Sequence, residues 1–107
     1  NDDMLIIRGV NVYPSQIEAV LLGRPCIAPH YQLVVQRRGK LDEVSVEVEA
    51  LPGVVADTYE TVARDVAHHI KSMVGITTDV CVKAPGVIPR SQGKAVRVRD
   101  LRPKESL

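Results

Sequence analysis

Tryptophan and phenylalanine are absent from this sequence and tyrosine occurs only three times. The aromatic platforms on which single-stranded nucleic acids stack are therefore missing. Cysteine occurs twice, as Cys26 and Cys81, far apart and in no CxxC pair, which leaves a zinc site or a dithiol redox centre without spacing support. Two free, largely buried thiols are expected instead. Neither charge sign dominates: 14 Lys and Arg stand against 13 Asp and Glu, a net charge of +1, so the overall field calls for no nucleic acid, membrane or acidic partner. No apolar run approaches a membrane span and no charged-then-apolar leader opens the chain. A soluble cytoplasmic protein is expected. The chain opens on Asn1, directly on a motif, so an excised domain or fragment is expected.

What is present suits one domain, residues 1–107, with 45% apolar content and a modest core. Residues 4–7 and 10–12 read as short extended pieces kinked at Gly9, which serves either the bend alone or the close passage of a narrow ligand. Pro14, with Ser15 and Glu18 spaced as a capping box, starts a helix that stops near Gly23. Residues 31–37 and 43–49 form a β-hairpin in which Val44, Val46 and Val48 face the core while Glu43, Glu47 and Glu49 face water. Asp57 and Glu60 mark a second start, and Tyr59, Val62, Val66, Ile70 and Met73 trace one face of an amphipathic helix closed by Gly75. His68 and His69 are neighbours on that helix and point apart, so no metal site is expected there. Residues 79–83 and 95–99 add two strands, the last with a basic face that continues into Arg102 and Lys104. The order predicts an α+β, two-layer sandwich: a mostly antiparallel sheet with two helices on one face, in β-α-β-β-α-β order plus a C-terminal strand.

Between the last two strands lies Val87-Ile88-Pro89-Arg90-Ser91-Gln92-Gly93-Lys94. Pro89 fixes its own backbone angle, Gly93 permits a turn or a close approach to a ligand, and Lys94 presents a cation on a long stem near Arg90. That composition suits an anionic ligand, although an ordinary surface turn also carries Pro, Ser and Gly.

Two stretches together, "DDMLIIRGVNVYPSQIE" and "GVIPRSQGKAVRV", resemble the C-terminal domain of the acyl-adenylate-forming enzymes, and "RGVNVYPSQIE" followed by "APHYQLVV" is similar to the phenylacetate-CoA ligase branch of that family. The resemblance covers almost the whole chain, with both motifs in order. It implies that Lys94 is the adenylation lysine of the "P-R-x-x-G-K" motif, with Pro89, Arg90 and Gly93 shaping its loop. It also implies that Asp2 is the hinge of a domain rotation and that Gly9, with Arg8, Val10 and Asn11 beside it, lines the path of coenzyme A. The Gly-Arg that usually precedes the aspartate pair is absent here.

On this resemblance the parent enzyme uses ATP and CoA as substrates, with Mg2+, to turn phenylacetate or a related aryl acid into its CoA thioester. The N-terminal adenylation domain is the partner, and the isolated domain is expected to be inactive and to bind no cofactor by itself. A surface built to face that partner would also allow a homodimer. The alternative is a stand-alone α+β module that binds a small molecule or regulates, with Lys94 an ordinary loop residue.

Overall fold

The computed structural model describes residues 4–89 and 97–103. Asp2, Arg90, Gly93 and Lys94 lie outside the described residues. Strands β1 (Leu5–Ile7) and β2 (Val10–Val12) form a separate antiparallel ribbon, followed by helix α1 (Pro14–Leu22). Strands β3 (Ile27–Arg38) and β4 (Leu41–Ala50) come next, then a 3-10 turn (Ala56–Thr58), helix α2 (Tyr59–Val74), and strands β5 (Asp79–Lys83) and β6 (Val98–Asp100). The main sheet has the order β5-β4-β3-β6.

The α+β class and its two helices are as the sequence predicts; two details of the sheet differ. The opening strand stands apart in its ribbon, and only the central β3-β4 pair of the main sheet is antiparallel, whereas β5 runs parallel to β4 and β6 parallel to β3. The reason is connection length. A two-residue turn at Gly39-Lys40 joins β3 to β4 directly, but β5 is reached only after α2, and a helical crossover returns the chain in the original direction.

Alternation along β4 gives the core its floor. Val44, Val46 and Val48 are buried opposite Val35, Leu33 and Tyr31 of β3, and Ile17 and Leu21 of α1 and Val66 and Ile70 of α2 close over them in one cluster. The helices therefore share one face of the sheet. Strand β3 begins earlier than the apolar alternation implies, at Ile27, and its pairing with β4 shifts register between Ile27 and Tyr31. Pro29 falls inside that irregularity, where its missing N–H breaks no regular ladder.

The predicted capping boxes are replaced by other contacts. Helix α1 starts with Pro14 in its first turn, and the side chain of Gln16 accepts the backbone N–H of Tyr13 at 2.9 Å, so Ser15 and Glu18 are not the box. Glu18 is bound instead by Arg97 at 2.9 Å. Asp57 lies in the 3-10 turn, and the hydroxyl of Thr58 donates to the carbonyl of Val55 at 2.6 Å. Gly75 ends α2 with φ of 94°, as the sequence suggests. Met73, placed on the apolar face by its spacing, is 74% exposed; it sits at the rim of that face, near the helix end.

Ile70 is fully buried beneath α2. Ile70→Ala should lower the unfolding free energy by about 2–5 kcal/mol, whereas Met73→Ala on the same helix should change it by less than about 0.5 kcal/mol. Paired urea melts check both values.

Candidate functional site

The β1-β2 ribbon turns on Arg8 and Gly9, with φ of 49° and 78°. Two consecutive left-handed residues make the type I′ turn that matches strand twist. Glycine adopts this conformation freely, but for Arg8 it costs on the order of 1–2 kcal/mol. The Arg8 side chain supplies a counterweight: its guanidinium donates to the carbonyls of Asp42 at 2.6 Å and Thr77 at 2.7 Å. The ribbon is thereby tied to the start of β4 and to the chain just before β5. A Cβ built on Gly9 would meet nothing within 4 Å, so the backbone angle selects glycine and the space above the turn is open to a ligand. Asn11 is exposed and Val10 half-buried against the core.

A clasp of paired charges reinforces the same end. Arg102 donates to the carbonyl of Ile6 at 2.7 Å, to Asp42 Oδ2 at 2.9 Å, and through Nε and Nη2 to Asp100 at 2.9 and 2.8 Å. Arg37 holds the other oxygen of Asp42 at 2.9 Å. The hydrogen bond from Arg37, and then that from Arg102, lowers the pKa of Asp42, partly opposed by burial. The bond from Arg102 lowers that of Asp100 in the same way, and the two carboxylates raise the pKa of the arginine further. These groups and Gly9 border a groove of about 640 Å³, large enough for part of a small-molecule ligand.

The far end of β4 carries a different arrangement. Glu49 keeps the outward strand parity that the sequence assigns it, yet it is 1% exposed. The expectation that it faces water is corrected by the chain that crosses over it. Its Oε1 accepts the N–H of Gly86 at 2.9 Å and its Oε2 the N–H of Ile88 at 2.8 Å. Between them residues 84–87 form a turn, with Val87 N–H donating to the Ala84 carbonyl at 3.3 Å and Gly86 at φ of 84°. Pro85 followed by a left-handed glycine is the type II pattern. Pro89 is the exposed last residue before the segment holding Arg90, Gly93 and Lys94.

Other sequence candidates are occupied structurally. Arg97 pairs with Glu18 and lies over the Tyr31 ring at 5.2 Å, and Arg102 is held in its clasp, so the basic C-terminal strand does not present these two charges freely. His69 donates its Nδ1–H to the Asp65 carbonyl at 2.8 Å. Both cysteines are free; Cys26 is half-buried, and Cys81 is exposed rather than buried because it points outward from the edge strand β5. Among the described residues, no three His, Cys, Asp or Glu side chains converge as metal ligands, and no helix is long and apolar enough to cross a membrane.

Sequence reasoning reached the turn at Gly9 but missed Asp42, Arg102 and Glu49. The contacts that give them their roles span 34 residues for Arg8 and Asp42, 60 for Arg102 and Asp42, and 37 and 39 for Glu49 with Gly86 and Ile88. No local pattern announces such pairs. The nearest signal for Glu49 is the Pro-Gly turn that follows β5, whose freed amides need an acceptor.

The family model for the AMP-binding enzyme C-terminal domain matches residues 9–102. The chain is 54% identical over 105 residues to the phenylacetate-coenzyme A ligase of Escherichia coli, covering 95% of this chain and 24% of that enzyme. It spans about a quarter of the length of such curated relatives. Among solved structures, a domain of phenylacetate-coenzyme A ligase from Bacteroides vulgatus superposes with a TM-score of 0.87 at 31% identity, covering 97% of each chain. A 2-hydroxyisobutyryl-CoA ligase in complex with 2-HIB-AMP and CoA in the thioesterification state gives 0.86 at 35% identity, covering 94% of this chain and 22% of that one. These likenesses favour the enzyme-domain reading of the sequence over the stand-alone module.

Arg102→Ala tests the clasp through its pH dependence. Carboxylates whose folded pKa is depressed stabilise the fold above the unfolded value, 3.8 for aspartate, and lose that contribution as pH falls through the folded value. The stability difference between wild type and Arg102→Ala should therefore be largest near neutral pH and shrink below pH 3.8. Urea melts across that range measure it.

Proposed function

The chain belongs to the AMP-binding enzyme C-terminal domain family, and from that premise we propose that it is the mobile C-terminal domain of a phenylacetate-CoA ligase. The parent enzyme converts ATP, phenylacetate and CoA to phenylacetyl-CoA, AMP and diphosphate. The observation that carries this reading is the identity of 54% to such a ligase over nearly the whole chain.

In the first half-reaction a carboxylate oxygen attacks the α-phosphorus of ATP and diphosphate leaves. Negative charge develops around the α-phosphate, and a cation delivered there stabilises the transition state more than the ground state. Lys94 takes this role, with Pro89, Arg90 and Gly93 setting its loop. In the second half-reaction the CoA sulfur attacks the acyl carbon, AMP leaves, and the Gly9 turn with Arg8, Val10 and Asn11 borders the path of the thiol.

Strand geometry supports a rotation between the two steps. The Gly9 turn is tied to Asp42 and the root of the lysine segment to Glu49, seven positions apart on one extended strand, roughly 23 Å. A rigid domain cannot present both ends to one acyl-adenylate at once. Asp2 serves as the hinge. The N-terminal adenylation domain supplies the nucleotide and acyl pockets and the ligands of the Mg2+ that accompanies ATP, and the reaction belongs in the cytoplasm, where ATP and CoA are available.

In the full-length parent, Lys94→Ala should slow diphosphate release from ATP and phenylacetate by about 100- to 1,000-fold. Thioester formation from pre-made phenylacetyl-adenylate and CoA should stay within about twofold of wild type. Loss of neither activity would assign Lys94 to an ordinary surface loop.

A further inference from the structure

Glu49 is out of place for a residue of its parity. The outward positions of β4 before it, Glu43, Ser45 and Glu47, are partly exposed, but Glu49 is 1% exposed. Burying a carboxylate is costly unless its oxygens are well satisfied. Here each oxygen receives a backbone N–H, from Gly86 at 2.9 Å and from Ile88 at 2.8 Å. Two amides from alternate residues on one planar carboxylate fix both the position and the rotation of that stretch, whereas a single bond would leave it free to swing. Charge-assisted bonds of this kind are also about twice as strong as neutral ones.

The stretch so fixed has a particular place in the chain. The type II turn at Pro85-Gly86 bends the backbone out of β5, Ile88 is buried with 5% exposure, and Pro89 follows. Six positions beyond Ile88 stands Lys94. A serine or threonine at position 49 would complete the sheet equally well but could not accept both amides, so the strand alone does not explain the carboxylate.

We propose that Glu49 is a positioning residue for adenylation: its buried carboxylate sets the path by which the chain leaves β5 and enters the segment that delivers Lys94. This inference rests on the reading of Lys94 as the adenylation lysine. It assigns Glu49 no contact with substrate; it acts through the backbone of Gly86 and Ile88. Because the Gly9 turn is tied to the opposite end of β4, thioester formation does not depend on Glu49.

Glu49→Gln in the full-length enzyme tests this. The amide keeps the shape and one acceptor oxygen, but turns an NH2 group toward the second backbone N–H, so one of the two anchors is lost. Diphosphate release should fall by about 10- to 100-fold with thioester formation from pre-made phenylacetyl-adenylate unchanged, and the substitution should add nothing to adenylation in a Lys94→Ala background. Equal losses in both half-reactions, no loss in either, or full additivity with Lys94→Ala would overturn the inference while leaving the function of Lys94 standing. If Lys94→Ala alone leaves adenylation intact, the functional reading falls and this inference with it. Should Glu49→Gln fail to accumulate as soluble enzyme, Glu49→Asp carries the same comparison, since it keeps the charge but is too short to span both amides.

Discussion

An extended strand cannot fold back on itself, and that stiffness of β4 is the constraint on which the rest of the domain depends. Its inward face supplies Val44, Val46 and Val48 to the core, and its neighbours β3 and β5 are fixed by pairing along its length. Its two ends hold the two stretches to which the proposed function assigns chemistry. Asp42 accepts Arg8 through its carbonyl, and Arg37 and Arg102 through its carboxylate. Glu49 accepts the amides of Gly86 and Ile88. Strand, core and the seating of both candidate stretches are thus one piece of architecture.

The two ends are secured by different physics. At the Asp42 end, long arginine side chains reach backbone carbonyls and carboxylates on a partly exposed surface, where each ion pair contributes little alone and the network as a whole fixes the ribbon. At the Glu49 end, a buried carboxylate meets main-chain amides directly, and desolvation makes any mispairing costly. The first arrangement tolerates water and holds a turn whose outer side stays open. The second excludes water and holds a turn in one register.

Much of this was legible from local patterns. The alternation of Val44, Val46 and Val48, the spacing of Val62, Val66 and Ile70, and the glycines at 9 and 75 act over a few residues, so periodicity and backbone preference report them directly. The Ser15/Glu18 and Asp57/Glu60 boxes failed because capping depends on which residue turns first, and Pro14 and Thr58 settled that instead. The parallel outer strands, the clasp at Arg102 and the burial of Glu49 arise from segments far apart in the chain. Parity placed Glu49 on the correct face but could not foresee the segment laid over it. Of the site, the opening motif and the lysine motif were readable as words in the sequence; the contacts that seat the first, and the root of the second, became visible only in three dimensions.

Reciprocal movement of the two ends is the central claim, and spin labels report it directly. In the full-length enzyme, with Cys26 and Cys81 replaced by serine, one label at exposed Asn11 or at exposed Val87 is paired with a fixed label on the N-terminal domain near the acyl-adenylate, and distances are read by pulsed electron resonance. With ATP and phenylacetate the Val87 label should be the nearer; on adding CoA to an acyl-adenylate analogue, the Asn11 label should approach while the Val87 label withdraws. Two labels that keep their distances, or that approach together, would contradict the division of labour between the ends of β4.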